Sequence, residues 1–183
     1  MSADGLNVRP IAETLDIREA PSWSPDGRWI AVCANEGQTN PLLKVPAGGG
    51  PPIRLVEGVT YDPVWSPDGR LIAYSESHGG GSYQVRAVTP EGKPYPLPEV
   101  WVRFAGNRYR FLPDGRGLVL TVGQVRQQNF WLLDFQTQRL RQLTDLQKGF
   151  DTKSFDISRD GKQILFDRYR ENSDVVLIDL QPR

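Results

Sequence analysis

The sequence predicts an all-β fold: a β-propeller built from four four-stranded antiparallel blades, either a complete small ring or a partial ring of a six- to eight-bladed propeller. Three observations lead there. The hexapeptide Trp23-Ser24-Pro25-Asp26-Gly27-Arg28 recurs as Trp65-Ser66-Pro67-Asp68-Gly69-Arg70, with looser copies at Phe111-Leu112-Pro113-Asp114-Gly115-Arg116 and Ile157-Ser158-Arg159-Asp160-Gly161-Lys162. The turn glycines are 42, 46 and 46 residues apart, a period that marks one supersecondary unit repeated. Between the turns lie short apolar runs with no helical period. Asp-Gly between two such runs signals a hairpin, because glycine supplies the positive φ of the turn. The aspartate adds hydrogen bonds to nearby backbone N–H groups.

Each unit reads as the same series of strands. The first blade, residues 19–57, carries Ala20–Ser24, Trp29–Ala34, Leu42–Val45 and Ile53–Val56. The second, 61–98, carries Pro63–Ser66, Leu71–Ser75, Tyr83–Val88 and Pro94–Leu97. The third, 107–144, carries Arg108–Leu112, Leu118–Val122, Asn129–Asp134 and Arg139–Leu143. The fourth, 152–180, carries Ser154–Ile157, Gln163–Asp167 and Val175–Leu180, then runs out of residues for a fourth strand. Four residues before each turn glycine stands a large apolar residue: Trp23, Trp65, Phe111 or Ile157. The second strands align as Ile30-Ala31-Val32, Ile72-Ala73-Tyr74, Leu118-Val119-Leu120 and Ile164-Leu165-Phe166, runs that suit sheets covered on both faces.

Residues 7–13 match the phase of the outer strand at 51–57, so they are expected to supply the closing outer strand of the last blade. Pro10 is acceptable on such an edge. Without that cover, Val175-Val176-Leu177-Ile178 would be an exposed apolar edge. The offset suits a sealed four-bladed ring, the tail of a longer propeller, or two copies joined in an eight-bladed ring.

The pattern Pro-x-Trp-Ser-Pro-Asp-Gly-Arg-x-Ile-Ala at Pro21–Ala31 and Pro63–Ala73 resembles the TolB-type propeller repeat. That repeat is distantly similar to WD repeats, whose Gly-His and Trp-Asp signatures are absent here. The resemblance spans essentially the whole sequence and weakens in units three and four, where Phe111-Leu112 and Arg159 depart from it. The stretch from Phe166 to Leu180 resembles the ends of propeller domains fused to bacterial Ser/Thr kinases and winged-helix regulators. The resemblance implies a scaffold or sensor module. TolB-like blades are also similar to the propellers of prolyl-oligopeptidase-type peptidases and some polysaccharide lyases, which implies the alternative of an enzyme-associated propeller.

Composition narrows the functions. With 22 basic and 22 acidic residues the net charge is zero, and no concentrated basic surface is expected for nucleic acid. Cys33 and His78 are single, so neither an internal disulfide nor a Cys/His metal site is expected. No segment reaches the apolar length of a membrane span. Met1–Gly5 lacks the features of an export signal, so the sequence as given is read as cytoplasmic, with the compartment left open because the resembling repeat also occurs in periplasmic proteins.

His78-Gly79-Gly80-Gly81 looks like an oxyanion segment, yet the sequence has no Gly-x-Ser-x-Gly to serve it; it is read as a turn. Each Asp-Gly turn offers one carboxylate where a calcium loop needs several. Asp26, Gly27, Asp68, Gly69, Asp114, Gly115, Asp160 and Gly161 are therefore structural. Cys33, among Ala31, Val32 and Ala34, is read as a buried inert thiol. No catalytic residue, cofactor or metal is expected.

In an up-and-down blade, the turns between second and third strands share one face with the blade-to-blade connections, and the Asp-Gly turns lie on the other. The first face is expected to gather Tyr61, His78, Trp101, Arg103, Arg126, Phe150, Arg168 and Arg170. Aromatic and arginine side groups are the composition favoured at protein interfaces. The expectation is a non-catalytic module that binds a protein or peptide there, with a homodimer or fusion to a longer propeller left open.

Overall fold

The Asp-Gly turns are built by their own side chains. In the computed structural model, which describes residues 8–168 except 18, 104–107, 125, 147, 148 and 150, Ser24 Oγ donates to Asp26 Oδ1 at 2.6 Å and accepts from Trp29 N at 2.9 Å. Asp26 Oδ1 also takes the Arg28 N–H at 3.0 Å, and Gly27 closes the turn at φ +69°. Ser66, Asp68 and Leu71 repeat the arrangement, as do Ser158, Asp160 and Gln163. The third turn, with Leu112 in place of serine, keeps the Arg116 N–H to Asp114 bond at 3.0 Å and the glycine at φ +71°.

These turns join meandering antiparallel sheets. The first holds β1 (Ser22–Trp23), β2 (Trp29–Cys33), β3 (Leu42–Pro46) and β4 (Ile53–Val56) in that order. The second holds β5 (Thr60–Trp65), β6 (Ile72–Ser77), β7 (Ser82–Val88) and β8 (Pro94–Tyr95), with β9 (Trp101–Arg103) also on β7. The third holds β10 (Tyr109–Phe111), β11 (Gly117–Gln124), β12 (Gln127–Asp134) and β13 (Arg139–Gln142). Of the fourth, β14 (Phe155–Ile157) and β15 (Ile164–Phe166) are described. The architecture is an all-β partial propeller.

The outer edge of the second sheet runs past residue 98. β8 pairs with the end of β7 and β9 with its start, and Val85 N donates to Val100 O at 2.9 Å between them. The extra length buries Val100 and Val102 against Tyr109, Phe111, Leu118 and Leu120 of the third blade.

Strand alternation gives each blade two working faces. Ala31 and Cys33 of β2 meet Trp65, Ile72 and Tyr74 of the second blade. Ala73 and Val85 meet Tyr109, Phe111, Leu118 and Leu120. Val119 and Phe130 meet Phe155, Ile157, Ile164 and Phe166. Trp65, Phe111 and Ile157, each four residues before a turn glycine, therefore reach back to the blade before their own. Trp65 is 7% exposed in that position, but Trp23 is 54% exposed. At the other end, Leu165 matches buried Ala31, Ala73 and Val119 and is 79% exposed.

Residues 8–13 lie against the first blade. Among the described residues they pair with no strand; Ile11, Ala12, Leu15 and Ile17 pack on Ile30, Val32, Ala34, Leu43 and Val45. Arg9 fixes the segment by donating to the carbonyls of Ala47 and Gly48 at 3.2 Å each. The physical reason is the first blade's rear face, whose five apolar side groups would otherwise meet water. Asn7 and the expected strand at 175–180 lie outside the described residues.

Candidate functional site

Seven residues before their turn glycines stand Ala20, Asp62 and Arg108, on or just before the first strands of the first three blades. Asp62 sits where β5 slips against β6: Tyr61 pairs with Ser75, and pairing resumes at Val64 with Ala73. Its φ is +52°, a left-handed conformation that costs a non-glycine residue energy and is held only by its surroundings. Two groups hold it. The Asp62 N–H, freed from the ladder, donates to Glu19 Oε2 at 2.8 Å. The hydroxyl of fully buried Tyr109 donates to the Asp62 carbonyl at 2.6 Å.

Beside this bulge a cavity of about 210 Å³ opens between the inner strands, lined by Ser22, Asp62, Val64, Arg108, Tyr109 and Arg110 among others. Arg108 is 3% exposed, and its Nε has no hydrogen-bond partner among the described residues. Burial pushes the Asp62 carboxyl up, against the pull of Arg108 and Arg110. Burial likewise raises Glu19, opposed by the hydrogen bond from Asp62 N–H. The Arg108 guanidinium is lowered by burial and supported by Asp62. A desolvated charge of each sign thus lines one small space.

Of the residues expected on the loop face, the structure assembles two ring pairs. Tyr61 meets Tyr83 edge-on with centroids 5.4 Å apart. His78, in the glycine-rich β6–β7 turn, meets Trp101 at 5.1 Å, and Trp101 Nε1 donates to Glu99 Oε1 at 2.6 Å. Trp101 and Arg103 lie on β9 rather than in a loop, because the outer edge of that blade continues to residue 103. Arg126 is set apart: in the β11–β12 turn at φ +60°, its N–H donates to Asp151 and its carbonyl accepts from Gly149 N. Arg168 follows β15; Phe150 and Arg170 lie outside the described residues.

Glu19, Asp62, Tyr83, Arg108 and Tyr109 were not singled out by the sequence. The available signal was a charge at the same inner-strand step in two neighbouring repeats. Cys33 is buried, takes a hydrogen bond from Thr60 Oγ1 at 3.3 Å, and has its thiol pushed up to about 12, chiefly by burial. Among the described residues no three His, Cys, Asp or Glu side groups gather to hold a metal ion, and no helix is long and apolar enough to cross a membrane.

Solved structures share this fold. TolB from Acinetobacter baumannii is 21% identical, with a TM-score of 0.64 over 87% of this chain and 39% of that one. An oligogalacturonate lyase in complex with manganese is 13% identical, with a TM-score of 0.61 over 86% of this chain and 48% of that one. A puromycin hydrolase is 17% identical, with a TM-score of 0.65 over 82% of this chain and 25% of that one. The chain thus spans less than half the length of each. No protein-family model and no curated protein matches it. At these identities the likeness speaks for the fold, a TolB-like β-propeller.

Proposed function

We propose that this protein is a non-catalytic propeller module that binds a protein or peptide segment on the face bearing His78, Trp101, Tyr61 and Tyr83. The observation that supports it is two aromatic pairs on one blade, Tyr61 of β5 with Tyr83 of β7 and His78 of the β6–β7 turn with Trp101 of β9. Trp101 is 39% exposed while its indole N–H is already held by Glu99. Such rigid rings give contact area at little conformational cost, the usual chemistry of binding hot spots. Peptides selected on the intact protein from a displayed random library test the reading. Trp101→Ala and Tyr61→Ala are expected to weaken the selected peptides tenfold or more, about 1.4 kcal/mol each. Tyr95→Ala, in the outer strand near the opposite turns, should leave binding unchanged. Equal affinity for all three variants overturns the assignment of the face.

A second reading, the propeller part of a peptidase or lyase, is favoured by the spans: the match takes in 25% of the puromycin hydrolase and 48% of the lyase. Turnover of peptide or oligouronide substrates by this protein, abolished in His78→Ala, would replace the binding-module reading.

A further inference from the structure

We propose that the cavity between the inner strands of the first three blades is a receptor for a peptide carboxylate, with Arg108 as its anchor. The inference rests on the peptide-binding reading and names the group that such a peptide inserts.

Arg108 lines this space and carries an unmatched donor. An arginine carries five N–H groups in a flat fork and accepts none. Arg108 is buried, and its Nε–H meets no acceptor among the described residues. Buried donors are normally satisfied, and one that is not calls for an explanation. Three of the nearby acceptors already take other donors. Glu19 Oε2 takes the Asp62 N–H, the Asp62 carbonyl takes the Tyr109 hydroxyl, and the Tyr109 carbonyl takes Arg110 Nη1 at 3.0 Å.

The lining selects the class of ligand. Two guanidinium groups, Arg108 and Arg110, and one carboxylate, Asp62, line a space of about 210 Å³. The space suits a single carboxylate and its stem, and a planar fork engages that group through two parallel bonds. A phosphate, carrying nearly two negative charges, would face stronger repulsion from Asp62 and Glu19 than a carboxylate would. Asp62 then serves as acceptor for an N–H beside the ligand carboxylate, which a peptide supplies and acetate does not. The wall is already shaped, because Glu19 and Tyr109 fix Asp62 in its strained conformation before any ligand arrives.

Both an acidic side group and a peptide's terminal carboxylate offer this chemistry. Four fluorescein-labelled probes separate them: Gly-Trp-Glu-Gly amide, its Gln counterpart, Gly-Trp-Gly-Gly acid and its amide. Anisotropy with the intact protein is expected to show one acid form binding at least tenfold tighter than its neutral partner. Arg108→Gln should abolish that preference and Arg108→Lys should reduce it, whereas Trp101→Ala should weaken acid and neutral forms alike. A readout on the unmodified protein guards against misfolded variants: the Arg108 Nε–H resonance should shift with N-acetylglycine and not with N-acetylglycinamide. Acid and neutral probes binding alike, or an unmoved resonance, overturns the carboxylate receptor while leaving the aromatic face standing. Binding of galacturonate with no binding of any peptide overturns both.

Discussion

Asp26 does in one residue what a longer loop would need several to do. Its carboxylate gathers the Ser24 hydroxyl and the Arg28 N–H, and these bonds hold it down to about 2. Asp68 is held below its ordinary value too, by Ser66 and Arg70 against the opposing effect of burial. Asp114 and Asp160 follow the same direction. A carboxylate whose folded value lies below its unfolded value stabilises the fold above the unfolded value, near 3.8, and loses that contribution as the pH falls through the folded one. The melting temperature is therefore expected to drop as the pH goes from about 4 toward 2. Asp68→Asn should flatten that decline, measured by thermal unfolding across the series. Asp62 and Glu19, both raised by burial, act in the opposite sense and favour the fold as they take up protons. The Asp-Gly turns were legible because every group in them lies within five residues. The Arg108 cavity was not, because three blades must stand side by side before it exists.

At the scale of the strand, sequence shows which residues are apolar but not which neighbour covers them. Leu118 and Leu165 look alike, each in the second strand of a unit. Leu118 is fully buried between the second and third blades, whereas Leu165 faces outward. Leu118→Ala is expected to cost about 2–5 kcal/mol, the range for a buried leucine that leaves a cavity. Leu165→Ala should stay within about 0.5 kcal/mol. Urea unfolding of the two variants checks the contrast. The divided outer edge of the second blade was missed for a related reason. The sequence reading ended the blade's last strand at Leu97, and only the packing of Val100 and Val102 on the third blade shows why the edge resumes at Trp101.

Over the whole molecule, each blade touches its neighbours in the series, so stability is spread along the array and local losses stay local. The segment over 8–17 is the clearest case. Its phase matches an outer strand in the sequence, and in the structure its apolar side groups cover the rear face of the first blade. Replacing Ile11 and Leu15 together with Asp is expected to speed hydrogen exchange at Ile30–Ala34 and leave Leu118–Thr121 protected. Equal acceleration in both places would mean that the array unfolds as one unit. The backward reach of Trp65, Phe111 and Ile157 has a consequence for ancestry. Every junction joins the same rear face to the same front face, so a tandem duplication that begins and ends at matching turns inserts a blade that fits both neighbours at once. Such a gene can lengthen or shorten by whole units of 42 to 46 residues without first passing through a misfit intermediate.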